Sequence, residues 1–150
     1  MKFYLLGGGV VLVAVLGFGA MVLAPESDVP ANSDTIEERT EDGRLRMGGG
    51  VLGPAPEGAT IIRRLAGGYE PKEVTIMEGE TIAFINDSDE FHWPASDVHP
   101  THTIYSAFDP REPLAPGETW SFTFTEAGIW GLHDHLRANY KGTITVEPVH

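Results

Sequence analysis

The sequence predicts an all-β sandwich of one domain, preceded by an apolar helix and an acidic tether. Three observations carry this. From about Ala59 the apolar residues recur with a period of two, as they do in strands with one buried face. The runs are short, β-branched and aromatic, and Gly and Pro separate them. Roughly 90 residues remain for this part of the chain, close to what an immunoglobulin-type sandwich needs.

Ala59–Ala66 (ATIIRRLA) supplies a first strand, and Glu73–Met77 (EVTIM) alternates. Glu78–Gly79 marks a turn into a second arm, Thr81–Asn86 (TIAFIN). Trp120, Phe122 and Phe124 alternate with Ser121, Thr123 and Thr125, and Trp120 and Trp130 are assigned to the core. Ala127–Gly128 turns the chain into Ile129–His135, and Gly142–Glu147 (GTITVE) closes the domain. Between Asn86 and Glu118 stand Pro94, Pro100, Pro110, Pro113 and Pro116. This stretch is therefore expected to be mostly loop, and long loops on rigid sandwiches carry function. The sequence shows no internal repeat.

Ahead of the domain, Tyr4–Ala24 carries no charge. It is long enough to cross a bilayer core of roughly 30 Å. Lys2 and the amino terminus precede it, and Glu26 and Asp28 follow, so the C-terminal part is expected outside the cytoplasm. Residues 1–24 are read as an uncleaved anchor of a single-pass plasma-membrane protein, because the apolar run exceeds a usual signal core and Pro25 disfavours cleavage after Ala24. Cleavage after Gly19 or Ala20 would instead release a secreted domain. Residues 25–58 are acidic and rich in Gly and Pro. They hold too few large apolar side chains to offset the entropy of ordering them, and are read as a flexible linker. The domain is then 59–150.

Composition removes several function classes. Twenty-two acidic against ten basic residues leave a net charge of −12, which repels phosphates and argues against nucleic acid as a partner. The chain contains no cysteine, so disulfides, thiolate ligands, iron–sulfur clusters and thiol catalysis are excluded together.

Five of the six histidines fall in two windows. One runs His92-Trp-Pro-Ala-Ser-Asp-Val-His99-Pro-Thr-His102, the other is His133-Asp134-His135. The sixth, His150, is terminal and is assigned no role. Residues two apart on a strand point the same way, so His133 and His135 form a pair, with Asp134 on the opposite, core-facing side. His99 and His102 are three apart with Pro100 stiffening the gap, and a tight turn brings both imidazoles to one point. Imidazole suits copper, zinc, nickel and iron. The metal candidates are His92, His99, His102, His133 and His135, with Asp134 a weak oxygen ligand or an acceptor that orients an imidazole.

Residues 68–147 resemble the cupredoxins, most of all the plastocyanin and amicyanin type. The resemblance is carried by Gly68-Tyr-Glu-Pro71, Gly79-Glu80-Thr81, Phe84-Ile-Asn86, Leu114-Ala-Pro-Gly117, Phe122-Thr-Phe-Thr-Glu-Ala-Gly128, Trp130 and Gly142-Thr-Ile-Thr-Val146. It implies a Greek-key β-sandwich, with the loop near His92 and the strand end at His133–His135 at one pole. Aligned without gaps from Gly128 to Gly142, the family's ligand cysteine falls on Asp134, its second histidine on Arg137 and its axial methionine on Tyr140. Of the four blue-copper ligands only His92 matches. The His-Asp-His triplet is also similar to the His-Cys-His of multicopper oxidases, and HWPAS, HPTH and HDH together resemble a looser group of exported cupredoxin-like proteins.

The function expected is a membrane-tethered, extracytoplasmic copper-binding protein with a non-blue, type-2-like site, in copper handling or redox chemistry. The acidic surface attracts cations within about 8 Å at physiological salt. Several nitrogen ligands favour Cu(II) by the Irving–Williams order, and zinc is the competing ion. A redox or copper-delivery protein is the partner this implies. No Ser–His–Asp pattern, phosphate loop or carboxylate pair at a convincing spacing gives the chain an enzymatic chemistry of its own. Two other readings stand beside it: a metal-free interaction module presenting Trp93, Tyr105, Phe108 and Tyr140, and a mononuclear copper oxidoreductase.

Overall fold

The alternation that begins near Ala59 becomes strands in the computed structural model, which describes residues 38–150. The anchor at 1–24 lies outside the described residues. Among the described residues, no helix is long and apolar enough to cross a membrane.

The strands are β1 (Leu45–Met47), β2 (Gly50–Leu52), β3 (Thr60–Leu65), β4 (Gly68–Glu70) and β5 (Glu73–Met77), then β6 (Thr81–Asn86), β7 (Pro94–Ser96), β8 (Thr119–Thr123), β9 (Gly128–Asp134) and β10 (Arg137–Glu147). They form a six-stranded sheet in the order β1-β2-β8-β6-β3-β4 and a four-stranded sheet in the order β5-β10-β9-β7. β3 runs parallel to β6, and β5 parallel to β10. The other paired strands are antiparallel.

The inner faces bury Ile62, Phe84, Trp120, Phe124, Leu132 and Ile144 almost completely. Each such side chain contributes about 1.5–3 kcal/mol over an exposed one. Trp120 is fully buried as read from the alternation, whereas Trp130 is only partly buried at the rim of the core. The 87–118 stretch is mostly irregular, but it is anchored. Phe108 and Leu114 are fully buried in the same core, and Phe108 stacks on Trp120 with ring centroids 6.0 Å apart. A loop pinned this way holds its polar residues in fixed positions.

The sandwich starts before residue 59. Part of the stretch assigned to the linker, residues 45–52, is a β-hairpin on the edge of the larger sheet: Leu52 pairs with Trp120 and Val51 with Ser121. Met47 and Leu52 pack on the core, and the Trp120 indole donates to the Met47 carbonyl at 2.8 Å. Two strands of three residues show too little alternation to be seen in sequence. The hairpin turn presses on the long loop. Gly48 has φ +58°, and a Cβ there would lie 2.0 Å from the Asp109 carbonyl oxygen.

Candidate metal centre

The two histidine windows meet because β7 lies beside the end of β9. Pro94 pairs with Asp134, Ala95 with His133 and Ser96 with Leu132. The Asp97 N–H donates to the Gly131 carbonyl (3.1 Å) and the His135 N–H to the Trp93 carbonyl (2.8 Å). Beyond β7 a turn closes through the Thr101 and His102 N–H groups, both donating to the Val98 carbonyl. It holds His102 in the left-handed region, φ 51°, an uncommon conformation in which histidine is over-represented.

Four imidazoles converge. His99 Nδ1 lies 3.3 Å from His133 Nε2, and His102 Nε2 lies 2.8 Å from His135 Nδ1. One nitrogen each from His99, His133 and His135 falls within 4.8 Å of the others. Donors sharing one ion at metal–nitrogen bonds of about 2.0–2.1 Å sit ~3–4 Å apart; the His99–His133 pair is at that spacing, and His135 would close on the same ion by a small ring movement. His102 and His133 are buried, His135 is partly so and His99 is exposed.

Two carboxylates orient this cluster from behind. His102 Nδ1 is 2.7 Å from Asp109 Oδ2, and His133 Nδ1 is 3.1 Å from Asp97 Oδ1. An imidazole that gives one N–H to a carboxylate presents its other nitrogen as a lone pair, and metal-ligating histidines use this arrangement. Asp97 approaches His133 over Gly131, where a Cβ would lie 2.1 Å from Asp97 Oδ2. Trp93 completes the wall. Its ring centroid is 4.7 Å from that of His135, and its indole donates to Asp109 Oδ1 at 2.9 Å. Burial lowers the proton affinity of His133 and of His135, and neighbouring imidazoles lower it further. Asp97 opposes the shift at His133. The neutral, ligating form is thereby favoured. A cleft of about 300 Å³ lined by Asp97, Val98, His99, His133, Ala138 and Lys141 opens beside the cluster.

His92 is placed apart from the four. Its ring is buried edge-on to Tyr69, centroids 5.3 Å apart, and Nδ1 approaches Asp134 Oδ2 at 3.5 Å. Asp134 is fully buried on the core side of β9, as its parity with Leu132 requires. Its Oδ1 accepts from the Trp93 and Leu136 N–H groups, and its Oδ2 from Arg64 Nε at 3.2 Å. Both oxygens are engaged away from the four imidazoles. Burial alone would raise the Asp134 carboxyl, but the nearby His92 ring, the Trp93 N–H and Arg64 outweigh it and bring it down to about 2. Asp97, Asp109 and Arg64 were not singled out by the sequence. The signal available for the two aspartates is their place in the same loop as the histidines.

The chain is 37% identical over 84 residues to plastocyanin of Scenedesmus fuscus, spanning 86% of that protein and 53% of itself. It is 32% identical over 110 residues to the chloroplastic plastocyanin of Hordeum vulgare, spanning 71% of that protein and 68% of itself. The chain belongs to the plastocyanin family of cupredoxins. Solved structures agree on the fold of this cupredoxin. A Cu(I) amicyanin variant superposes with TM-score 0.53 at 24% identity, covering 62% of this chain and 86% of the other. A purple cupredoxin from Nitrosopumilus maritimus superposes with TM-score 0.52 at 24% identity, covering 59% and 99%. No protein-family model matches the chain.

A blue-copper centre does not fit the residues present. The chain holds no thiolate, and blue copper requires one. At the aligned ligand positions, Arg137 is paired with Glu90, and Tyr140 donates its hydroxyl to the Ala66 carbonyl at 3.0 Å. A nitrogen-only centre does fit: His99, His133 and His135 would hold the ion, His102 stands beside His135 as a fourth donor, and Asp97 and Asp109 would fix the His133 and His102 rings.

Proposed function

We propose that this cupredoxin binds a copper ion through His99, His102, His133 and His135 and serves copper handling or redox chemistry on the outer face of a membrane. The observation that carries this reading is the convergence of ring nitrogens of His99, His133 and His135, with His102 Nε2 beside His135 and two carboxylates behind the rings. The Irving–Williams order favours Cu(II) at such a donor set. A bound ion supplies a nitrogen-ligated redox couple or a store of exchangeable copper. The protein's own residues set its terms. Asp97 and Asp109 aim two of the imidazoles, Trp93 shields one side, and exposed His99 leaves the other side open to solvent or to a partner.

The test is titration of the full chain with Cu(II) and with Zn(II), read by calorimetry and electron paramagnetic resonance. One equivalent of Cu(II), with a type-2 spectrum and no intense blue band, is expected, and the paired substitution His133→Ala, His135→Ala should abolish it. Equal uptake by that variant would overturn the assignment. Attachment to the membrane rests on the uncharged Tyr4–Ala24 run. Alkaline carbonate extraction should leave the chain in the membrane pellet and release a chain deleted of residues 1–24.

A further inference from the structure

A second buried polar centre lies beside the imidazole cluster, and it is built around a cation that belongs to the chain. Arg64 is almost completely buried near the end of β3. Its Nε donates to Asp134 Oδ2 at 3.2 Å. Its guanidinium carbon sits 4.2 Å from the centre of the Tyr140 ring, a cation–π distance. Its Nη2 is 4.0 Å from Glu90, and Glu90 is the carboxylate that holds Arg137. His92 approaches the same oxygen of Asp134. In the ungapped alignment from Gly128 to Gly142, Asp134, Arg137 and Tyr140 fall, with His92, on the family's four copper-ligand positions, and Arg64 is linked to every one of them, directly or through one carboxylate.

The hydrogen bonding at this centre is lopsided in an informative way. Among the described residues, both nitrogens of buried His92, the Tyr69 hydroxyl and Arg64 Nη2 have no hydrogen-bond partner. Leaving such groups buried and unpaired is costly, and native folds rarely do so. A metal ion draws on imidazole lone pairs. A guanidinium has only N–H donors, so it takes carboxylate oxygens and an aromatic face and leaves an imidazole unused. The pocket therefore has the donors of a cation site and the contacts of a guanidinium.

We infer that the guanidinium of Arg64 stands where the family assembles its copper ligands, closing that position to metal with a cation of the chain's own. Arg64 thereby acts on specificity: it confines any bound ion to the neighbouring imidazole cluster, and does so whether or not that cluster is filled.

The test uses the full chain carrying His99→Ala and His135→Ala, which removes two donors from the cluster. Calorimetric titration with Cu(II) alone should find no tight equivalent in this background. Adding Arg64→Leu, which removes the charge and brings no donor atom, should create one equivalent. Adding His92→Ala to that should remove it again, and Arg64→Lys in place of Arg64→Leu should not create it. Should the Arg64→Leu chain fail to fold without metal, as read by near-ultraviolet circular dichroism, Cu(II) should fold it. An Arg64→Leu chain that folds and takes up no Cu(II), or that stays unfolded when Cu(II) is added, overturns the inference. Failure of the four-imidazole assignment would appear instead in the parent chain, which would bind no ion, and would leave the Arg64 comparison unaffected.

Discussion

Arg64 and Asp134 face each other at 3.2 Å with both side chains withdrawn from solvent, one on each sheet of the sandwich. Asp134 also holds the Trp93 and Leu136 N–H groups, so this ion pair joins the two sheets at the pole where the histidines gather. Removing one member of a buried pair strands the other charge, at about 3–5 kcal/mol. Urea unfolding of the chelator-treated chain should show a loss of that order for Arg64→Met. The double variant Arg64→Met, Asp134→Leu should recover part of the loss but not all, because two backbone donors lose their acceptor. Losses below about 1 kcal/mol for the single variant, the ordinary worth of one hydrogen bond, would remove the pair from any structural role.

Gly131 is the opening through which Asp97 reaches His133. A methyl group there collides with Asp97 Oδ2, and alanine is otherwise compatible with a strand. Gly131→Ala should therefore leave the circular dichroism unchanged and weaken Cu(II) binding about 10–100-fold, the usual cost of losing a partner that orients a ligand. Competition titration with a chelator measures this directly. Affinity equal to that of the parent chain would show that the Asp97–His133 contact does not matter to the ion.

The hairpin at 45–52 supports the centre from outside it. Gly48 packs on the Asp109 carbonyl, and the Gly49 N–H donates to that oxygen at 3.0 Å, while the Asp109 side chain holds His102 and Trp93. Gly48→Ala should destabilise the fold by about 1–3 kcal/mol through overpacking and should lower Cu(II) affinity together with stability. Thermal melting and titration on one preparation would reveal the link. A stability loss with unchanged affinity would separate the hairpin from the centre.

Acid should act on the metal-free chain in two stages. His92, His133 and His135 are held below their ordinary value of 6.5, with burial the main cause in each. An imidazole of that kind takes up its proton more readily unfolded than folded, so its contribution is intact above about 6.5 and is lost as pH falls below it. Fully buried His92 should contribute most, up to about 1.4 kcal/mol per pH unit, and partly exposed His135 least, because solvent screens it. Asp134 is depressed from 3.8 to about 2, so its contribution persists down to about 3.8 and fails only between there and about 2. Urea midpoints between pH 8 and pH 3 should be level above 7, fall through 6 and 5, and fall again below 4. A profile flat from 7 to 5 would contradict the first stage.

The sequence by itself determined the sandwich. Its strands at 73–77 and 81–86, the 142–147 half of β10 and the two histidine windows were legible because alternation and short-range spacing are written into adjacent residues. Parity along β9 likewise put His133 and Asp134 on opposite sides. Only the tertiary structure decided which imidazoles meet. His92 stands in the same window as His99 and His102, yet it turns to Asp134 and Tyr69 while the other two turn to His133 and His135. That choice depends on a left-handed His102, on the register of β7 against β9, and on contacts such as Arg64–Asp134 and Asp109–Gly48 between residues far apart in the chain. Local periodicity carries no information about such pairings, because they follow from how two sheets and a pinned loop pack in three dimensions.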